Sequence, residues 1–264
     1  MYDIGYEIID FHTHPFIAEQ NNICSHKKYC NMSPDDTLNV MSELNITHFC
    51  GSVIGGKAEG DNAALAKMLK NNNDALELSR RYNGKYIPGF HVNPRFVRES
   101  CEEIKRMSRL GVKLIGELVP YLDGWDDYSC SGLSEILDVA EQYGMIVSFH
   151  SMGEDAMDKM VKEHPNITFV AAHPGEYGEF MRHIDRFGMS ENYYMDISGY
   201  GIFRYGMLRH AIDAVGADRI LFGSDFPTCS PGMYVGGVLF DRTLSDAEKE
   251  KIFSLNAKRL LNID

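Results

Sequence analysis

Long apolar runs, paired-cysteine spacings and an excess of positive charge are all missing from this sequence. No segment approaches the ~20 consecutive apolar residues that a membrane-spanning helix needs, and no basic region followed by an apolar stretch opens the chain. The six cysteines form no C-x-x-C pair and are typical of reduced thiols. We therefore expect a cytoplasmic protein with no signal peptide and no membrane partner.

Basic residues are the scarcer charged class, with 26 Lys and Arg against 38 Asp and Glu and a formal net charge of -12. An acidic surface repels phosphate backbones, so nucleic acid is not an expected partner. A small-molecule substrate is the expected partner instead, and association into a homo-oligomer stays open. The 44% hydrophobic content is ordinary for a globular protein and provides a core of normal size.

The chain alternates between short apolar runs and longer amphipathic segments. The apolar runs predict eight strands, at 7–12, 46–54, 86–93, 112–117, 145–150, 167–173, 193–198 and 219–225. Helical patterns lie between them, and the longest, at 62–82, contains an asparagine run at 71–73 that could interrupt it. Strands alternating with helices imply a parallel sheet, and eight such units in 264 residues predict a TIM barrel. We expect one (β/α)8 barrel domain over residues 1–264.

Histidines and a carboxylate stand where several predicted strands end. His12 and His14 are two residues apart and share one face of the first strand. His150, His173 and Asp225 end the fifth, sixth and eighth strands. In a closed parallel barrel these ends meet at one rim, and imidazole nitrogen with carboxylate oxygen suits Zn²⁺ and similar ions. The sequence therefore predicts a metal site at the carboxyl-terminal mouth of the barrel.

The same residues carry a resemblance to a known family. The matching stretches are Ile9-Asp10-Phe11-His12-Thr13-His14, His150, Ala172-His173-Pro174-Gly175, Leu221-Phe222-Gly223-Ser224-Asp225-Phe226-Pro227 and Asn256-Ala257-Lys258-Arg259-Leu260-Leu261. The chain resembles the amidohydrolase superfamily, most closely its amidohydrolase-2 branch of small metal-dependent hydrolases and decarboxylases. The resemblance implies that His12, His14, His150 and Asp225 bind metal. It also implies that Asp225 is a general base and then acid, and that His173 is a second-metal ligand or a catalytic acid.

The fourth strand departs from the pattern of many superfamily members, which carry a carboxylated lysine at its end. Lys113 lies near the wrong end of this strand, whereas Glu117 lies at the mouth. Gly116-Glu117 resembles the bridging glutamate of TatD-type hydrolases. Glu117 either bridges two ions, or only hydrogen-bonds a ligand histidine or binds substrate. The predicted cofactor is therefore one or two divalent ions, Zn²⁺ or another transition metal such as Mn²⁺.

Two further groups of residues follow strands on the same side of the predicted barrel. His91, Asn93 and Arg95 follow the third strand, and Tyr121 and Trp125 follow the fourth. Loops after barrel strands shape the pocket, so we predict that these five side chains contact the substrate. For the two aromatic residues, simple loop packing is an equal alternative.

Three functions fit these residues. The first is hydrolysis of an amide, ester or lactone-like bond of a small molecule by a metal-activated water, with Asp225 as general base and acid. The second is non-oxidative decarboxylation, with Arg95 binding the substrate carboxylate. The third is a non-enzymatic, metal-stabilised scaffold, which would need a closed coordination shell. We expect the hydrolase, and two bound ions would favour it over the decarboxylase; a TatD-like nuclease is disfavoured by the acidic charge.

Overall fold

The computed structural model describes residues 4–24, 28, 31–201 and 204–263. It contains an eight-stranded sheet whose strands lie side by side in chain order, every neighbouring pair being parallel. The strands are β1 (Ile8–Asp10), β2 (Ile46–Ser52), β3 (Tyr86–Phe90), β4 (Leu114–Leu118), β5 (Ile146–His150), β6 (Thr168–Ala172), β7 (Tyr193–Asp196) and β8 (Ile220–Leu221). The α/β class and the eight predicted strands are confirmed.

Helices connect successive strands, as the sequence pattern predicts. They are α1 (Pro34–Glu43), α2 (Asp61–Arg81), α3 (Val97–Arg109), α4 (Pro120–Asp123), α5 (Ser131–Gln142), α6 (Glu154–Glu163), α7 (Tyr177–Phe187), α8 (Met207–Val215), α9 (Pro231–Leu239), α10 (Asp246–Glu250) and α11 (Asn256–Leu261). A π-helical segment, Lys251–Leu255, joins α10 to α11. Within the described ranges, no helix combines the length and apolar character needed to cross a membrane.

Backbone hydrogen bonds join the two edges of the sheet beyond the ends of β1 and β8. The Phe11 nitrogen donates to the Phe222 oxygen over 2.8 Å, and the His14 nitrogen donates to the Phe226 oxygen over 2.7 Å. The Asp225 nitrogen donates to the His12 oxygen, also over 2.8 Å. The sheet is therefore curled, and the segment that carries the two N-terminal histidines lies beside the segment that carries Asp225.

Two apolar clusters lie on opposite faces of this curled sheet. Along β5, Ile146 belongs to the smaller cluster, whereas Val147 and Phe149 belong to the larger one. The smaller cluster combines residues from both edge strands and from the middle of the sheet, so it fills the concave face. His150 shares the face of Ile146 because side chains alternate along a strand. The polar end of β5 thus points into the space above the smaller cluster.

Helix α2 runs without interruption through the asparagine run that the sequence offered as a break. The Asn72 side chain is fully buried, and its amide group hydrogen-bonds both backbone groups of His91, with the nitrogen donating over 3.1 Å and the oxygen accepting over 2.7 Å. It also donates to the Glu103 carboxylate over 3.1 Å. Asparagine is a poor helix former in isolation, but here tertiary hydrogen bonds outweigh that preference and fasten α2 to the end of β3.

Candidate metal centre

The structure brings together all six side chains predicted as metal ligands, in two groups of three. Within each group the ligand atoms lie within 4.8 Å of one another, and the groups are His12, His14 and Asp225, and Glu117, His150 and His173. All six lie at or just after the carboxyl ends of strands, on one rim of the curled sheet. Nitrogen and carboxylate oxygen in this number are a donor set that suits a divalent transition-metal ion.

The backbone is irregular at two of these six residues, His173 and Asp225. Phe169 and Ala171 belong to the larger cluster and Val170 to the smaller one, so simple alternation would place His173 away from the concave face. His173 instead has a φ of 69°, and Asp225 has a φ of 60°, both in the left-handed region that side chains other than glycine seldom adopt. Strain of this kind is concentrated at functional sites.

Glu117 reaches the site through a different irregularity. The register between β4 and β5 shifts between Ile115 and Leu118, as at a β-bulge. Ile115 belongs to the larger cluster, so without the bulge Glu117, two residues later, would face the same way. The bulge turns the carboxylate inward, where the side chain is only 4% exposed.

The two oxygens of Glu117 face different histidine pairs. Its Oε2 lies 3.2 Å from His14 Nε2 and 3.5 Å from His12 Nε2. Its Oε1 lies 3.0 Å from His150 Nδ1 and 3.4 Å from His173 Nε2. A carboxylate placed in this way between two sets of nitrogen donors has the arrangement that a bridging ligand needs.

The rings of His12 and His14 are oriented for binding a cation. His14 Nδ1 lies 2.9 Å from the carbonyl oxygen of Ser52, which only accepts, so this nitrogen is the donor. His12 Nδ1 lies 2.8 Å from Asp196 Oδ2 and donates in the same way. The two Nε2 atoms then face each other over 3.1 Å, a contact between lone pairs that requires a proton or a metal ion. The residues present therefore fit a metal ion.

The charges around His12 favour a cation at the same place. Burial alone would lower the pKa of His12, but the carboxylates of Asp196 and Glu117 outweigh it and hold the pKa well above its ordinary value. Burial would raise the pKa of Glu117, yet the charges of His12 and His150 hold it well below its ordinary value. The carboxylates thus stay ionised and attract positive charge, whether this is carried by an imidazolium or by a metal ion.

Asp196 and Ser198 also belong to this centre, although neither is among the residues predicted from the sequence. Asp196 ends β7 and is fully buried, and Ser198 follows it at the same rim. Ser198 Oγ lies 3.0 Å from His173 Nδ1 and 3.1 Å from His12 Nδ1. A polar residue at the end of the seventh strand was the available signal, since the same reasoning had found the residues that end the fifth, sixth and eighth strands.

The two aromatic residues predicted to contact the substrate lie differently. Tyr121 is 46% exposed on α4, and its ring meets the His150 ring edge-on with centroids 5.5 Å apart. Trp125 is buried and packs edge-on against Tyr128 at 5.4 Å. Tyr121 therefore stands beside the metal centre, whereas the contacts of Trp125 are those of loop packing. Substrate contact by either residue stays a prediction.

The three residues after β3 form contacts of their own. His91 is buried, and its Nε2 lies 2.9 Å from the Val53 oxygen. Asn93 caps the turn that follows by accepting from the Arg95 nitrogen over 2.9 Å. The Arg95 guanidinium pairs with Asp61. Within residues 4–24, 28, 31–201 and 204–263, no hydrogen bond or ion pair links these three side chains to the six-ligand cluster, and their role in substrate binding stays a prediction.

The comparison with protein families matches this chain to an amidohydrolase model, the amidohydrolase-2 type, over residues 9–263. This match covers nearly the whole chain. The chain belongs to the amidohydrolase family. A search of curated proteins finds none that matches this amidohydrolase.

Solved structures of similar fold include several decarboxylases. A 2,6-dihydroxybenzoate decarboxylase from Rhizobium has 16% sequence identity and a TM-score of 0.77, covering 97% of this amidohydrolase and 99% of that chain. A 5-carboxyvanillate decarboxylase from Sphingomonas paucimobilis has 12% identity and a TM-score of 0.75, covering 98% and 99%. A dihydroxybenzoic acid decarboxylase from Polaromonas sp. JS666, with bound manganese, has 15% identity and a TM-score of 0.73, covering 97% of both chains. The TM-scores establish a shared fold, and at sequence identities this low the similarity shows the fold alone.

Lys113 of this amidohydrolase lies away from the metal centre, as the sequence analysis expected. It precedes β4, and its Nζ donates to the Tyr143 carbonyl oxygen over 2.7 Å. Tyr143 follows α5 and precedes β5, so the lysine is held at the amino-terminal ends of the strands. The position that faces the centre from β4 is occupied by Glu117.

Proposed function

We propose that this amidohydrolase is a metal-dependent, non-oxidative decarboxylase of a small aromatic carboxylic acid. The proposal takes the curled sheet as a closed (β/α)8 barrel, supported by the hydrogen bonds that join its two edges, with the substrate bound at the carboxyl-terminal mouth. Decarboxylation takes precedence here over the hydrolysis expected from the sequence, because the three structural relatives described above are decarboxylases.

The observation that carries the proposal is the position of titratable side chains on the open side of the ligand set. The His150, His173 and Asp225 side chains are 25%, 13% and 12% exposed, whereas those of His12 and His14 are 1% and 2% exposed. A substrate entering from the mouth therefore meets the former three first. Tyr121 stands at the same opening and offers an aromatic wall for a ring.

The chain offers an oxygen and nitrogen ligand set for the ion, and one member of this set, Asp225, would also transfer the proton. His12, His14 and Asp225 would hold a divalent ion, Mn²⁺ or Zn²⁺. A bound ion supplies positive charge that orients an anionic substrate at the mouth. Buried Asp196 keeps His12 turned so that its Nε2 faces this place.

In the net reaction one C–C bond breaks, CO2 leaves, and a C–H bond forms with a proton from an acid. We assign this proton to Asp225, whose carboxylate lies at the mouth and whose backbone is fixed by the hydrogen bond to the His12 oxygen. Its Oδ1 is 3.6 Å from His14 Nε2, so the group that moves the proton stands beside the place of the ion. His173 is partly exposed at the same opening and would contact the ion or the substrate through its Nε2.

The direct test is CO2 release from a panel of hydroxybenzoic acids, measured on protein loaded with manganese or zinc. We expect metal-dependent CO2 release from at least one acid, and a loss of about 10² to 10⁴ in kcat for Asp225→Asn assayed at a metal concentration that saturates the variant. Asp126→Asn, which removes an exposed carboxylate from the loop after α4, is the matched control and should leave kcat unchanged. Release that is unaffected by Asp225→Asn, or turnover of esters and lactones without any CO2 release, would refute the assignment.

Hydrolysis remains a second candidate because of the placement of Glu117. One oxygen faces His12 and His14 and the other faces His150 and His173, which is the geometry of a two-ion bridge. Two-ion sites are common in enzymes that direct water onto a substrate. Elemental analysis of wild-type protein and of Glu117→Gln, both purified without added metal or a histidine tag, decides the point. Two ions in the wild type and one in the variant would support hydrolysis. One ion in both proteins would support the decarboxylase.

A further inference from the structure

Ser198 is a buried hydroxyl with three polar neighbours and a single proton to donate. Its side chain is fully buried just after β7. Its Oγ lies 2.5 Å from Asp196 Oδ1, 3.0 Å from His173 Nδ1 and 3.1 Å from His12 Nδ1. A hydroxyl donates one hydrogen bond and accepts up to two, so the proton can go to only one of these three atoms.

The carboxylate receives that proton. Asp196 Oδ1 accepts from the Ser198 backbone nitrogen over 2.9 Å and Asp196 Oδ2 accepts from His12 Nδ1 over 2.8 Å, so both oxygens of this carboxylate act as acceptors. The contact between Ser198 Oγ and Asp196 Oδ1 therefore runs from hydroxyl to carboxylate. The Ser198 oxygen is left with lone pairs alone, and His173 Nδ1 must donate to it. His12 Nδ1 donates mainly to Asp196 Oδ2, its nearer neighbour at 2.8 Å.

The backbone packed against the His173 ring limits the hydrogen-bond partners that can reach its Nδ1. A Cβ added at Gly199, which has a φ of 60°, would stand only 2.2 Å from this nitrogen, so the backbone after Ser198 lies directly against the ring. The carbonyl oxygen of Gly199 is held in turn by the Tyr234 hydroxyl of α9 over 2.5 Å. Among the described residues, Ser198 Oγ is the hydrogen-bond partner that meets His173 Nδ1.

We propose that Ser198 and Asp196 act as a positioning pair that holds His173 with its proton on Nδ1 and its Nε2 turned toward Glu117. The consequence is that Nε2 of His173, 3.4 Å from Glu117 Oε1, is the nitrogen offered to an ion or to substrate. The proton on Nδ1 follows from the hydrogen bonds alone, and because the Glu117 carboxylate only accepts, Nε2 meets it through an ion or through a second proton. Only the use of Nε2 in turnover depends on the proposed decarboxylase function.

The test is nitrogen NMR of histidine-labelled, zinc-loaded protein, with the His173 signals identified from a His173→Asn sample. We expect the wild-type ring to carry its proton on Nδ1 and this proton to exchange slowly with solvent. In Ser198→Ala we expect fast exchange of that proton, or its appearance on Nε2, and zinc binding about 10- to 100-fold weaker. Ser198→Thr keeps a hydroxyl and should restore the slow exchange.

Ser151→Ala is the matched control. Ser151 is a hydroxyl residue at the same rim, but among the described residues its hydrogen-bond partners are the Ala172 oxygen and His183 Nε2. Equal effects of both alanine variants on the His173 proton would overturn the proposal, because they would report general packing. A wild-type His173 ring without a proton on Nδ1 would overturn it without any variant. None of these measurements depends on enzyme activity. If the decarboxylase proposal fails, their results stay the same, so the two failures can be told apart.

Discussion

His183 of α7 should make the stability of this protein fall as the pH is lowered. Its ring is fully buried, with Nδ1 2.6 Å from the Tyr193 hydroxyl and Nε2 3.2 Å from Ser151 Oγ. Burial, and then the positive charge of Arg186, lower its pKa from 6.5 to about 3. In the unfolded chain the same ring takes up a proton near its ordinary pKa of about 6.5.

The magnitude follows from proton linkage. Between about pH 6.5 and pH 3 the unfolded state binds a proton at His183 that the folded state does not, so the free energy of unfolding decreases as the pH falls. Each pH unit in this window costs about 1.4 kcal/mol, which amounts to roughly 2 kcal/mol at pH 5. Above pH 6.5 the ring is neutral in both states and contributes no pH dependence.

Urea unfolding of metal-free protein between about pH 5 and pH 7.5 measures this effect, beside His183→Gln. The substitution changes the absolute stability through lost hydrogen bonds, but that offset does not vary with pH. We therefore expect the difference between wild type and variant to shrink by about 2 kcal/mol on going from pH 7 to pH 5. His210→Gln removes an exposed histidine of α8 as a control. A difference that stays constant over this range would refute the buried, neutral state of His183.

Two further variants test how the metal centre is built. Asp196→Asn removes the charged acceptor of His12 Nδ1, so we expect the zinc affinity to fall about 10- to 100-fold. Competition with a chromophoric chelator measures this affinity. An unchanged affinity would show that zinc binding by His12 does not depend on this carboxylate. Lys113→Gln should leave metal content unchanged in elemental analysis and stability within about 0.5 kcal/mol, because the Lys113 side chain hydrogen-bonds the Tyr143 oxygen, away from the metal centre. Loss of an ion from this variant would contradict the place given to Glu117.

The convergence of the histidines could be predicted because it depends on strand order and on little else. Once eight parallel strands are read from the apolar runs, the residues that end them must share a rim. The directions of individual side chains could not be predicted in this way. His173 and Glu117 face the centre through a left-handed residue and a register shift, and neither can be read from the pattern of apolar residues.

Other elements depend on contacts that a local pattern does not reveal. Helix α9 was not predicted, since Pro231–Leu239 carries no charged residue and contains two adjacent glycines. The eighth strand is Ile220–Leu221, much shorter than the predicted 219–225, because the Phe222 nitrogen donates to the Ile252 oxygen of the π-helical segment over 2.9 Å. The proton positions on His12 and His173 require Asp196 and Ser198 in three dimensions, so no sequence pattern contains them.

The left-handed backbone at His173 and Asp225 sets limits on evolution and engineering that are independent of catalysis. Any residue with a Cβ bears about 1–2 kcal/mol of steric strain in this conformation, a β-branched residue bears more, and Asn, Asp and His are the side chains found there most often. Asparagine tolerates the conformation best among side chains that remove the original chemistry. Sequence variation at these two positions should therefore be confined to a few residue types even in relatives that have lost activity, so a retained Asp or Asn there is not by itself a sign of an active enzyme.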